Sequence, residues 1–172
     1  MLKLNLGASP IWKKEGWFIL DHKIKKNKNY LISGDAENIN LKNNECDVIF
    51  CSHVFEHIPH TRLPIVIAEI NRIMKKKSVL RILTPNLRKI CKAYVNRDKK
   101  FFKKAKLEDE SLRTDLNLGG TLMSFLVTTG QDTVLLNRDL DKFISGYAHL
   151  YSYDYDMLFT ILSKLGFKIR LA

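Results

Sequence analysis

The chain opens with short apolar runs separated by polar stretches, a rhythm that predicts a parallel α/β sheet. Strands are expected at 2–6, 17–21, 30–33, 48–52 and 79–84. Between the last two, residues 63–75 put Leu63, Ile67, Ile70 and Met74 on one helical face, widened by Ile65, Val66 and Ile73. That spacing predicts a crossover helix covering the sheet. Thr84-Pro85-Asn86 closes the fifth strand as a turn, and a further helix is expected over 87–96. From 97 to 146 the pattern weakens, passing a Lys-rich stretch, Gly119-Gly120 and an apolar patch at 122–127. A strand-free region of that length is too long for a simple loop and reads as a helical insertion or lid that selects the substrate. A last helix is expected at 154–165, with Met157, Leu158, Ile161, Leu162 and Leu165 at helical spacing, Gly166 as its stop and a final strand at 167–171.

At 172 residues the chain is expected to form a single domain, 1–172, with one substantial core. Its hydrophobic content of 45% suits a soluble protein, and no run approaches the roughly 20 apolar residues of a membrane span. The start, Met1-Leu2-Lys3-Leu4, lacks the layout of a signal peptide, so a cytoplasmic location is expected. Cys46, Cys51 and Cys91 are odd in number, lack metal-like spacing and read as reduced and structural. A net charge of +11 could attract nucleic acid, an anionic membrane or an acidic small substrate. The basic runs are scattered over several elements without interleaved stacking aromatics, so solvated faces are the simpler reading and nucleic acid is not favoured.

Four segments carry candidate chemistry, because each ends an apolar run with small or polar residues, and such strand ends line the ligand crevice of a parallel sheet. In Leu4-Asn5-Leu6-Gly7-Ala8 the small residues permit close backbone approach of a ligand. Asp21 ends the second strand, where a carboxylate can accept hydrogen bonds from both hydroxyls of a ribose. Asp35 and Ala36 follow the third strand, where a carboxylate can meet an exocyclic amine and a small residue leaves room for a ring. The fourth strand runs into Ser52-His53-Val54-Phe55-Glu56-His57 and presents polar side chains at the crevice. The bland alternatives are a simple turn at Gly7, the start of a basic turn at Asp21 and a Gly-Asp turn at Asp35.

In order and spacing these segments resemble the class I S-adenosylmethionine-dependent methyltransferases, closest to the small bacterial, type 11-like branch. Gly16-Trp17 before the second strand and the Ser-His-Val-Phe-Glu-His stretch share that likeness, as do Gly146-Tyr147-Ala148-His149 and Lys164-Leu165-Gly166-Phe167. The resemblance implies an α/β fold with a doubly wound, mostly parallel, Rossmann-like sheet and a helical insertion before the last helix-strand unit. It also implies S-adenosylmethionine as cofactor, lying across the carboxyl ends of the strands. By matching position, Asn5, Gly7 and Ala8 would face its methionine part, Asp21 its ribose, and Asp35 with Ala36 its adenine. Ser52 and His53 would lie beneath the sulfonium, with Glu56 and His57 near the transferred methyl. The implied activity is methyl transfer to an oxygen, nitrogen or carbon of a small-molecule or surface-glycan-precursor acceptor. His57 and His149 are the candidate bases, since imidazole suits proton transfer at neutral pH.

The sequence departs from the family in its reduced glycine loop, Gly7-Ala8-Ser9, in the short stretch before the first motif, and in having only five residues after Phe167. The last of these predicts a truncated C-terminal hairpin and an open sheet edge that a homo-oligomer could cover. The thin loop keeps a catalytically inactive binding module as the alternative. A nucleic-acid methyltransferase is disfavoured by Ser52-His53-Val54-Phe55 standing where an Asn-Pro-Pro-Tyr signature would be. His53-Val54-Phe55-Glu56-His57 also matches the H-x-x-E-H pattern of zinc hydrolases. That pattern needs a helix long enough to align His53 with His57, and Pro59 limits this one to about a turn. No metal ligands are therefore expected.

Overall fold

The computed structural model describes residues 1–9, 11–108, 117–126 and 149–171. Much of the expected insertion, together with Gly146, Tyr147 and Ala148, lies outside the described residues. Five strands form one sheet: β1 (Lys3–Leu6), β2 (Trp17–Asp21), β3 (Leu31–Ser33), β4 (Cys46–Ser52) and β5 (Met74–Leu83). Their order is β3-β2-β1-β4-β5, and every neighbouring pair is parallel. This is the expected Rossmann-like α/β fold. The strand order reverses between β1 and β4, creating the switch point at which α/β sheets open a crevice beyond their carboxyl ends. Among the described residues the connections from β1 through β4 are turns, and α1 (Leu63–Ile73) joins β4 to β5.

The chain divides into two compact units, the first comprising Met1–Phe55, Pro59–Thr84 and Leu158–Ala172 and the second Glu56–Ile58 and Pro85–Met157. In the first, Leu4, Leu6, Ile19, Leu20, Ile49 and Cys51 are buried on the strands, and Leu63, Val66, Ile67, Ile70 and Ile73 are buried on α1. Pro near the start of α1 sits where an amide would lack a helical partner. Ile65, expected to widen the buried face, is 43% exposed.

The expected helix at 63–75 ends two residues early, and β5 starts at Met74 rather than at 79. Met74 takes extended backbone and pairs with Cys46, whereas Val79 pairs with Val48. The residues between bulge, with Lys77 at φ 67°. The Asp47 carboxylate draws this lysine run onto the sheet by accepting Lys75 Nζ at 2.9 and 3.0 Å and Leu2 N at 2.6 Å.

The expected final strand at 167–171 does not form. Phe167 and Ile169 are half-buried while Lys168 and Arg170 are exposed, so the strand-like alternation is present. The last helix-strand unit consists of its helix alone, tied to α1 by Asn71 Nδ2 donating to Leu165 O at 3.0 Å. Cys46, Cys51 and Cys91 are all free thiols. Two are structural as expected, and burial pushes the Cys46 thiol up to about 12, but Cys91 is exposed.

The second unit is helical. It holds α2 (Leu87–Val95), α3 (Lys99–Glu108) and α4 (Leu118–Leu126), and α5 (Tyr155–Lys164) begins within it. An Asx oxygen accepts a backbone N–H in the first turn of each: Asn86 from Lys89, Asp98 from Phe101, Asn117 from Gly120 and Asp154 from Met157. Ile90, Ala93, Phe102 and Phe125 form its core, with Phe102 edge-on to Phe125 at 5.1 Å. The described part of the insertion is thus helical, as expected.

Candidate functional site

The register of the sheet aligns three candidate residues in the first unit. Leu6 is opposite Leu20 on one side and Cys51 on the other, so Gly7, Asp21 and Ser52 form the next row across three adjacent strand ends. Ser33 closes this row beside Asp21, and Asp35 and Ala36 follow just beyond. Neighbouring strands are about 4.8 Å apart, so the row spans roughly the width of a nucleoside. Asn5 is buried on β1 one turn of the pleat below.

Gly7 has φ 72° and donates its N–H to Leu20 O at 2.7 Å. A Cβ there would lie 2.5 Å from Val54 Cγ2. The segment after β4 therefore packs against the Gly7 backbone, and only glycine combines that conformation with that approach. His53 is itself in the left-handed region, at φ 53°, and is held by its N–H donating to Leu83 O at 2.9 Å. A non-glycine residue in that region stores strain, which concentrates at functional sites.

Asp21 is 7% exposed. Its Oδ1 accepts Lys23 N at 2.7 Å and lies 3.8 Å from His22 Nδ1, while Oδ2 has no partner among the described residues. Asp35 is exposed and accepts Glu37 N through Oδ1 at 2.9 Å in a short turn, with Ala36 half-buried beside it. Both turn geometry and an available carboxylate are thus present at Asp35. The set fits an adenosine-bearing group on three counts: a backbone cradle without Cβ at Gly7, a carboxylate at Asp21 with one oxygen unpartnered among the described residues, and a small residue at Ala36. A surface hollow of about 250 Å³ lined by Lys13, Lys14, Glu15, Gly16, Trp17 and Tyr30 lies at the opposite, amino end of β2.

The remaining candidates, Glu56, His57 and His149, lie in the second unit and come together there. The His57 and His149 rings meet edge-on with centroids 4.8 Å apart. Glu56 is buried at 1% exposure, and one ligand atom from each of the three residues falls within 4.8 Å of the others. The backbone explains the meeting, since Glu56 O accepts Leu150 N at 2.7 Å and Tyr151 N at 3.2 Å, fixing the strand of chain that carries His149. His53 and His57 do not form the paired face that H-x-x-E-H requires, because the helical geometry covers only Phe55–His57 as one 3-10 turn.

Sequence reasoning missed Tyr153. It is 1% exposed, bridges Asn86 and accepts Leu87 N at 2.9 Å through its carbonyl. Its hydroxyl is the buried side-chain polar atom lacking a hydrogen-bond partner among the described residues. Burial, reinforced by Tyr151 and the Glu56 charge, pushes the phenol well above its ordinary range, so it stays protonated. The alternation Tyr151-x-Tyr153 close after His149 was the available signal. Missed too was Val54, which is visible only as the side chain that excludes a Cβ at Gly7.

Residues 18–82 match a family model described as a methyltransferase domain. No curated protein matches the chain. Among solved structures, the chain is similar to the crystal structure of an S-adenosylmethionine-dependent methyltransferase from Archaeoglobus fulgidus, with 20% identity and a TM-score of 0.53. The likeness covers 97% of this chain and 61% of that one, so the chain spans about three fifths of its length. The domain match covers 18–82 of the 172 residues, and the shared fold is that of a Rossmann-like α/β sheet such as the Archaeoglobus fulgidus enzyme carries.

Proposed function

We propose that this chain is a methyltransferase that takes a methyl from S-adenosylmethionine and places it on a small-molecule or glycan-precursor acceptor. The observation that carries the reading is the row of Gly7, Asp21 and Ser52 at the switch point of a parallel sheet, with one Asp21 oxygen unpartnered among the described residues. When bound, the donor supplies a methyl already activated on a sulfonium. The residues then need mainly to bind, orient and exclude water. Asp21 Oδ2 accepts the ribose hydroxyls. Asn5, Gly7 and Ala8 face the methionine part, Asp35 and Ala36 the adenine, and Ser52 and His53 the sulfonium. Glu56, His57 and His149 lie together in the second unit, and the two imidazoles are the candidate groups to accept the proton that an acceptor hydroxyl would lose.

The test is calorimetric titration with S-adenosylhomocysteine. Saturable binding is expected, and a hundredfold excess over its Kd should stabilise the fold by about 2–3 kcal/mol. Asp21→Ala should weaken that binding by about 1–3 kcal/mol, the value of a lost charged hydrogen-bond acceptor. Absence of binding, or undiminished affinity in Asp21→Ala, refutes the reading of these strand ends as a donor site.

A further inference from the structure

The second unit holds an arrangement that donor binding leaves unexplained. A buried carboxylate, Glu56, stands with two imidazoles, His57 and His149, all three offering a ligand atom within a 4.8 Å span. Two nitrogens and one carboxylate oxygen are the donors of catalytic zinc and related first-row sites, which keep the remaining positions for water or substrate. Calcium and magnesium prefer all-oxygen sets, so the chemistry favours a borderline cation. In a tetrahedral site with bonds near 2.1 Å, donors lie about 3.4 Å apart. Small side-chain rotations therefore close the present spacing, while the backbone that brings Leu150 and Tyr151 to Glu56 O stays fixed.

A second observation comes from the same segment of chain. Tyr151 N donates to Glu56 O at 3.2 Å, the Tyr153 ring stands 5.0 Å from that of Tyr151, and the buried Tyr153 hydroxyl lacks a partner among the described residues. Buried hydroxyls are rarely left unsatisfied, because each costs about 1–3 kcal/mol. Water or an acceptor oxygen held on a cation at the cluster would accept its hydrogen.

We propose that Glu56, His57 and His149 bind a divalent first-row transition cation of the zinc class, with Tyr153 as hydrogen-bond donor to the oxygen held on it. The helical H-x-x-E-H site is not reproduced: His149 replaces His53 as second imidazole, supplied by the far end of the chain. What the cation would do rests on the methyl-transfer reading: with both imidazoles engaged as ligands rather than as general bases, it would polarise a hydroxyl bound to it and ease loss of its proton to water.

The experiment titrates chelator-stripped full-length protein with Zn²⁺ by calorimetry and with Co²⁺ by visible absorption. The expected result is one equivalent bound per chain, with a ligand-field band for Co²⁺. His149→Ala and Glu56→Gln should each lower affinity by about a hundredfold or more, since even outer partners of metal ligands are worth about 10- to 100-fold. His60→Ala, removing an exposed histidine, should leave it unchanged. Thermal melts establish that each variant folds, and His149→Ala decides the question if Glu56→Gln does not. Failure to saturate near one equivalent, unchanged affinity in His149→Ala, or equal loss in His60→Ala overturns the site. Titration with S-adenosylhomocysteine on the same samples separates the two readings. Donor binding without metal binding refutes the cation site alone, and the reverse refutes the donor site alone.

Discussion

Replacing Gly7 by alanine tests the joint between β1 and the segment after β4. Two costs are expected. Holding a residue with a Cβ in the left-handed region at φ 72° costs about 1–2 kcal/mol. The new methyl would also lie 2.5 Å from Val54 Cγ2 and 3.3 Å from Cγ1. Because β-branched valine has little rotamer freedom, relief requires backbone movement, and such overpacking costs about 1–3 kcal/mol. Gly16 provides the internal control, since it has φ 75° but nothing within 4 Å of an added Cβ. Gly16→Ala should thus cost only the backbone part. Urea denaturation should find Gly7→Ala less stable than wild type by about 2–5 kcal/mol, and less stable than Gly16→Ala by the overpacking part. For a chain of this size that total lowers Tm by roughly 5–15 °C. Val54→Ala removes the clashing methyls, so the double variant should be more stable than the sum of the singles predicts, with a coupling of about 1–2 kcal/mol. Equal costs for Gly7→Ala and Gly16→Ala, or strict additivity with Val54→Ala, would refute the close approach as the reason for glycine.

In methyl-transfer assays, His57→Ala should lower turnover by about 10²- to 10⁴-fold while S-adenosylhomocysteine affinity is retained; unchanged turnover removes this residue from the chemistry. Glu69 accepts Ile39 N and both Arg72 Nε and Nη2 at 2.7 Å, joining α1 to the loop before β4. Glu69→Ala should therefore cost about 2–3 kcal/mol in chemical denaturation, since it leaves the buried Ile39 amide without its acceptor and removes the Arg72 bonds to the carboxylate, while Leu41 O, Ile39 O and Asn43 still receive the guanidinium. Arg62 holds Glu37, Arg72 holds Glu69 and Lys75 holds Asp47 below their ordinary carboxylate ranges. Each lowered group stabilises the fold above its unfolded pKa and loses that contribution as pH falls through its folded value. Melts recorded across acidic pH should show Tm declining below about pH 5, the upper edge of carboxylate titration. Glu69→Gln should flatten that decline, and an unaltered slope would exclude Glu69 from it.

Local chemistry made much of the fold legible. β1 and β2 follow directly from alternating or continuous apolar runs, and α1 from its 3.6-residue spacing. The helices that begin after Asn86 and Asp154 carry Asx caps that a reader can see in the sequence. The ends of β2 and β4 locate Asp21 and Ser52 because a strand that stops in a polar residue presents it beyond the sheet. Where local preference competed with charge and pairing, the sequence misled. The lysines at 75–77 belong to an edge strand anchored by Asp47, and 167–171 keeps its alternating pattern without a ladder.

Taken by itself, the amino-acid sequence determined the parallel α/β class and the candidate row of strand ends, because both depend on periodicities of two and about three and a half residues. It could also name His57 and His149 one at a time. Only the tertiary structure decided that these histidines meet near a buried Glu56, that the buried Tyr153 hydroxyl has no partner among the described residues, and that Val54 forbids a side chain at Gly7. The physical reason is range. Hydrogen bonds and steric contacts between residues distant along the chain depend on where the backbone returns, as when Glu56 O receives Leu150 N and Tyr151 N. No local pattern of residues encodes that return.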